Sequence, residues 1–171
     1  MLAELGFEGI TMEALAARAG VGKATIYRRW KKKTDVLIDA VMRVTEPAVL
    51  VDTGDLRADL LAMTEGLRLR LASSVAGRIM PCLLGAAIDD SELMTVYWNT
   101  AVRPRRELFV ERVRRAEERG EIRAGLDYQV LCDLCFSPIV YRRLFLAVRP
   151  PATKSDIDKS IDILLSGALP A

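Results

Sequence analysis

Histidine is absent from all 171 residues of the chain. With it go the commonest general base and the commonest metal ligand, and a Ser-His-Asp or Cys-His mechanism within one chain is excluded. Long apolar runs are missing as well, since none approaches the roughly 20 residues that a membrane helix needs. The start, Met1-Leu2-Ala3 running straight into Glu4, carries no signal-peptide pattern. Cysteine is scarce and odd in number, at three, which does not suggest a disulfide framework. A reduced, cytoplasmic compartment is therefore expected. Net charge is only +2, so any nucleic-acid role has to come from a local patch rather than from the molecule as a whole. What is present is a chain 51% hydrophobic and 28% charged. That suffices for a well-buried core in one domain or in two small ones.

Apolar residues recur at helical spacing throughout, and no strand alternation stands out, so the fold class is all-α. Thr11 reads as the N-cap of a short helix to Ala19, Gly20-Val21-Gly22 as a tight turn, and Lys23 to about Trp30 as a second short helix. Thr34 reads as the cap of a longer helix, with Leu37, Ile38, Val41 and Met42 on one face. Pro47 and Asp52-Thr53-Gly54-Asp55 mark its end and the domain boundary, giving domains at 1–46 and 47–171. Further helices are expected from Asp55 to about Ser73, Arg78 to Ile88, Ser91 to Gly120 with a bend at Pro104, and Asp127 to Val148 before Pro150-Pro151. A last one is capped by Ser155.

Charge concentrates in GKATIYRRWKKK, residues 22 to 33, which holds six cations, Tyr27 and Trp30, and no acid. Ala16 is small where two helices cross, Gly20 suits a left-handed turn, and Ile26 is apolar where the second helix faces the core. Together these describe a helix-turn-helix whose second helix enters the major groove. Lys23, Thr25 and Arg28 are then the candidates for base readout, with Arg28 able to meet guanine O6 and N7 bidentately. Tyr27 would place its hydroxyl on a phosphate, and Lys33 would join free backbone N–H groups in an anion site. Lys31 and Lys32 read as non-specific phosphate contacts or solvated charges.

GFEGITMEALAARAGVGKATIYRRWKKKTDVLIDAVM, from Gly6 to Met42, resembles the DNA-binding region of the TetR family of bacterial transcriptional regulators. The resemblance implies a homodimer with an N-terminal helix-turn-helix and a larger helical domain for effector binding and dimerisation. It places the DNA contacts on Thr11, Lys23, Thr25, Tyr27, Arg28 and Lys33, with Trp30 as a buried anchor. The family has a full helix before this segment, whereas only Met1 to Leu5 precede Gly6 here. A truncated first helix is therefore expected, and with it weaker DNA binding if nothing precedes Met1.

In the second domain VLCDLCFSPIVYRRLFLAV is apolar nearly all round, so one side can face its own domain and the other a second chain. The last helix carries Ile157, Ile161, Leu164 and Leu165 as a stripe. Two such helices doubled by a two-fold axis make a four-helix interface, in which Phe136, Tyr141, Leu144 and Phe145 join that stripe. Both helices packing inside one subunit is the alternative. Met63, Leu67, Met80, Met94, Tyr97, Trp98 and Phe109 suit an adaptable effector cavity, and suit an ordinary core equally well. Cys132-x-x-Cys135 lies in an apolar helix where cysteine behaves as a small hydrophobe, so no metal site is assigned. The arginines from Arg103 to Arg123 are mixed with glutamates, with Glu111–Arg115 and Arg114–Glu118 at ion-pair spacing, and read as a solvated helix face.

The expected function is that of a ligand-responsive regulator, most often a repressor in the family, binding a palindromic double-stranded operator as a homodimer. Its effector is an unidentified small molecule, and no cofactor or membrane is involved. A dimeric helical binding protein with weakened or lost DNA recognition is the alternative. An enzyme would have only Asp89-Asp90 to recommend it, and that pair reads better as a helix start.

Overall fold

The computed structural model describes residues 2–6, 9–44, 49–72, 76–88, 90–145 and 152–167. Among these residues every regular element is helical: α1 (Leu2–Leu5), α2 (Met12–Ala19), α3 (Lys23–Arg29), α4 (Lys33–Val44), α5 (Leu56–Ala72) and α6 (Ala76–Ile88). Then come α7 (Ser91–Tyr97), a π-helical segment (Trp98–Val102), α8 (Arg103–Glu118), α9 (Tyr128–Phe145) and α10 (Lys154–Ser166). The expected helix ends at Pro47 and Pro150-Pro151, together with Phe7, Glu8 and Asp89, lie outside the described residues. The chain forms two compact units that interleave in sequence, Met1–Pro47 with Ser74–Val102, and Ala48–Ser73 with Arg103–Ala171.

In the first unit the backbone requirements are local. Thr11 is extended (φ −118°, ψ 156°) and its hydroxyl accepts a hydrogen bond from Ala14 N at 3.1 Å, so α2 starts where the sequence places it. Gly20 is left-handed (φ 68°, ψ 27°), and the Val21 N–H reaches back to the Ala16 carbonyl at 3.1 Å to close the helix. An added Cβ at Gly20 would meet nothing within 4 Å, so φ rather than space demands glycine there. Met12 and Ala16 of α2 and Ile26 of α3 then form a buried cluster, with Leu15, Trp30 and Val36 packed against it. Trp30 is half-buried on that cluster, as an anchor should be.

Helix α4 serves two cores. Val36 faces the α2–α3 cluster, while Leu37 joins Leu83, Ala87 and Leu93 of α6 and α7, with Ile38, Ala86 and Tyr97 against them. The side chains of Val41 and Met42 lie outside the described residues. Three caps differ from expectation. Asp35 reaches back to accept from Lys31 N (2.8 Å) and Lys32 N (3.1 Å), so α4 begins at Lys33 and Thr34 is buried. Asp90, not Ser91, caps α7 by accepting from Leu93 N at 3.0 Å. Thr153, not Ser155, caps α10 in a reciprocal box with Asp156. At α7 and α10 an oxygen one or two residues upstream has the better reach to the free N–H groups.

From Ser91 to Glu118 the chain is helical throughout, and the irregularity expected near Pro104 takes the form of the π-helical segment before it. Proline has no N–H to return to residue 100, so the regular register is not enforced there.

The second unit packs α5 against α8, α9 and α10. Its core takes Leu56 and Leu60 from α5, Phe109 and Val113 from α8, Cys132, Cys135 and Ile139 from α9, and Ile157 and Ile161 from α10. Phe136 lies edge-on to Phe109, with centroids 5.6 Å apart. The expected ion pairs Glu111–Arg115 (2.7 Å) and Arg114–Glu118 are present. Arg112, however, is not on a solvated face: it is wholly buried and bonds the equally buried Asp59. Asp52 (3.2 Å) and Glu121 (3.4 Å) also face it. The spacing of Phe109, Arg112, Val113 and Ala116 sets the guanidinium on the apolar side of α8, where only acids can satisfy it.

Candidate nucleic-acid interface and self-association face

The basic stretch folds into α3 and the turn leading to α4, and its cations are not equivalent. Lys23 Nζ lies 3.5 Å from a carboxylate oxygen of Glu13 on α2. Glu13's own backbone N–H chiefly, against an opposing burial effect, and then Lys23 and Tyr27 hold it below the usual glutamate range. Arg29 pairs with Asp39 at 3.4 Å and stacks its guanidinium over the Trp30 ring, 4.6 Å from the centroid. Lys32 Nζ is 2.8 Å from Glu92 on α7. That leaves Arg28 and Lys31, both exposed, with no acidic partner for their side chains among the described residues.

Of the six residues assigned to DNA, Thr11, Lys23, Thr25, Tyr27 and Arg28 are exposed, and Lys33 is half-buried. Lys33 already has a partner within the chain. Just upstream of it, the Lys31 and Lys32 backbone N–H groups donate to Asp35. Sequence reasoning missed these acids because Glu13, Asp39 and Glu92 are distant in the chain from the cations they hold.

The face available for self-association is carried mainly by α9. Val130, Leu134, Tyr141 and Phe145 are more than half exposed and share one side of that helix, and Ile163 of α10, at 74%, stands beside them. Tyr141 and Phe145 stack with ring centroids 5.3 Å apart. Between α9 and α10 runs an apolar groove of about 550 Å³ lined by Val130, Leu131, Leu134, Pro138, Ile163 and Leu164. Two residues assigned to an interface are placed differently: Ile157 (4%) and Ile161 (0%) have no surface to offer a second chain. Their stripe is spent inside the subunit, because α10 packs that face on α5 and α9. Phe136 likewise turns toward Phe109. Leu144, Leu164 and Leu165 are half-buried. Val130, Leu134 and Ile163 were overlooked, although the i, i+4 spacing of the first two with Tyr141 and Phe145 was legible.

The residues assigned to an effector cavity are divided between the two units. Met94, Tyr97 and Trp98 belong to the first unit, where Tyr97 packs on the Leu37 cluster and Trp98 is 44% exposed at the π-helical segment. Met63 and Leu67 are half-buried on α5 in the second, and Phe109 is fully enclosed there. Met80 is buried on α6. Cys132 and Cys135 are buried core residues, and burial pushes the Cys132 thiol up to about 11 and that of Cys135 higher still. Among the described residues no group of three or more His, Cys, Asp or Glu side chains is arranged to hold a metal ion, and no helix is long and apolar enough to cross a membrane.

A glycine-turned pair of short helices with an exposed basic second helix, followed by a larger helical unit, defines the helix-turn-helix class of DNA-binding regulators. Residues 1–40 match the family described as bacterial regulatory proteins, tetR family, and residues 50–164 match the tetracyclin repressor-like C-terminal domain. The chain is similar to an uncharacterized HTH-type transcriptional regulator, YdeS, of Bacillus subtilis (strain 168), at 34% identity over 84% of this chain and 73% of that one. It is 30% identical to the DNA-binding transcriptional repressor TetR of Mycobacteroides abscessus, over 94% of this chain and 83% of that protein. The crystal structure of the TetR family transcription regulator SCO0332 superimposes with a TM-score of 0.73 at 34% identity, covering 99% of this chain and 92% of that one. The chain belongs to the TetR family. It is a DNA-binding transcriptional regulator and not an enzyme.

Proposed function

We propose that the chain acts in the cytoplasm as a homodimeric repressor that reads a palindromic operator through α3 and responds to a small-molecule effector. The observation that carries the reading is a pair of exposed cations, Arg28 on α3 and Lys31 just past its end, left without acidic partners among the described residues while the neighbouring Lys23, Arg29 and Lys32 are paired. Arg28 meets guanine O6 and N7, Thr25 a neighbouring base edge, and Lys31 a phosphate. Thr11 uses its hydroxyl oxygen for the α2 cap, which leaves the hydroxyl hydrogen to donate to a phosphate. Lys23 exchanges Glu13 for DNA, Tyr27 meets a phosphate, and Lys33 adds long-range attraction.

Dimerisation supplies the second recognition helix that a palindrome requires, at a spacing of roughly 34–36 Å. The Val130, Leu134, Tyr141, Phe145 and Ile163 face, with its groove, supports this, since a second copy would remove that apolar surface from water. A domain of residues 1–46 would carry the DNA contacts and 47–171 the effector and the partner. Met63 and Leu67, and Met94, Tyr97 and Trp98, remain the residues assigned to the effector, a small apolar molecule.

The test is a binding titration against the intergenic DNA beside the gene, at two salt concentrations, with random duplex as competitor. Specific, salt-sensitive binding is expected. Binding no tighter than to random duplex would overturn the reading and favour a helical small-molecule-binding protein.

A further inference from the structure

Lys32 lies in the turn between α3 and α4, beside the cations assigned to DNA, yet its ammonium is paired with an acid 60 residues away. Lys32 Nζ and Glu92 Oε2 are 2.8 Å apart. Apolar packing fixes where that acid stands. Leu93, next to Glu92, is fully buried and clusters with Leu37 of α4. Helix α7 packs directly on α4. The start of α7 is thereby held against the start of α4, which brings Glu92 to Lys32.

Both side chains remain more than half exposed. Such a pair is open to exchange, because an exposed ion pair contributes little net stability. A phosphate oxygen offers an ammonium the same kind of charge-assisted bond as a carboxylate. We propose that Glu92 is an internal competitor for DNA phosphate, which occupies Lys32 in the free protein and lowers its affinity for DNA of any sequence. This rests on the DNA-binding reading above. When DNA arrives Lys32 transfers from Glu92 to a phosphate, and Glu92 takes up a cation from solution. The net release of counterions is one smaller than the contacts in the complex would give.

Anisotropy titrations of a labelled random-sequence duplex and of the labelled intergenic fragment test this across a range of salt. The proteins compared are the wild type, Glu92→Gln, Lys32→Gln and the double variant, with thermal melts to confirm folding. Neither side chain is buried, so all four proteins are expected to fold. Glu92→Gln is expected to tighten binding to both duplexes about two- to fivefold at low salt. It should also steepen the log–log salt slope by up to ~0.9. In the Lys32→Gln background the same substitution should change little. Unchanged affinity and slope in Glu92→Gln, with the wild type binding normally, would overturn the proposal. So would an equal gain in the Lys32→Gln background, since Glu92 would then act as a diffuse charge rather than through Lys32. If folded wild type and Glu92→Gln bind neither duplex, the DNA-binding reading fails and the competitor role falls with it.

Discussion

Removing the Asp59 carboxylate should damage the protein more than any surface substitution. Asp59 and Arg112 are both wholly buried, and Asp59 also accepts from the Thr53 backbone N–H (3.1 Å) and hydroxyl (2.7 Å). Asp59→Ala leaves a buried guanidinium short of its nearest acid and frees two donors. Breaking a buried pair from one side costs about 3–5 kcal/mol. Asp52 at 3.2 Å and Glu121 at 3.4 Å still face Arg112, so the lower end of that range applies to the pair. The two lost Thr53 bonds, at about 0.5–1.5 kcal/mol each, bring the total to about 4–6 kcal/mol. At roughly 2–4 °C per kcal/mol for a chain of this size, the melting temperature falls by about 8–24 °C. The assay is thermal and urea denaturation followed by circular dichroism at fixed protein concentration, because association also stabilises. Asp59→Leu with Arg112→Met, which removes both charges, should cost less, about the 1–3 kcal/mol of the two Thr53 bonds. A loss under about 1 kcal/mol in Asp59→Ala would refute the reasoning, for it would mean that water reaches the guanidinium.

The same network sets an acid limit. Burial pushes the Asp59 carboxyl up, but bonds from Thr53 and Arg112 outweigh it; Arg115 above all lowers Asp52. Acids depressed in the folded state stabilise above their unfolded pKa near 4 and lose that contribution as pH falls through the folded values. The melting temperature should therefore hold above about pH 5 and drop below about pH 4, more shallowly in Asp59→Asn, as melts across pH would show. Gly20→Ala should cost about 1–2 kcal/mol, because φ there is +68° and space is not limiting; a neutral result in denaturation would contradict the turn. Leu134→Glu, on a residue already 57% exposed, should leave the subunit folded and weaken the dimer by at least ~2 kcal/mol, counted in both copies. Sedimentation velocity would read this as monomer, and an undiminished dimer would move the interface elsewhere.

What the sequence disclosed and what it withheld divide by range. Thr11, Ala16, Gly20 and Ile26 were legible because a cap, a left-handed turn and a helix crossing each constrain a single position. In α9 both faces are apolar, so composition could not say that Cys132, Cys135 and Ile139 turn inward while Val130, Leu134, Tyr141 and Phe145 stay outside. Only packing against α5, α8 and α10 decides that. The clean stripe on α10 misled for a related reason, since an apolar stripe states that a face is buried and not against which chain. Arg112 hid in a run of arginines and glutamates, and the acid that explains it lies 53 residues upstream. The acids that hold Lys23, Arg29 and Lys32 are likewise long-range, and no local pattern announces them.

The central claim is that α3 reads DNA, with Arg28 as the cation that meets the base edge. It is tested most directly by the specificity ratio, the affinity for the specific fragment divided by that for random duplex, in wild type and Arg28→Ala at matched salt. Loss of a bidentate guanine contact should lower the ratio by about 1–3 kcal/mol, roughly five- to more than a hundredfold, and relax preference at one base pair per half-site. A ratio unchanged by Arg28→Ala, with binding otherwise intact, would contradict the account.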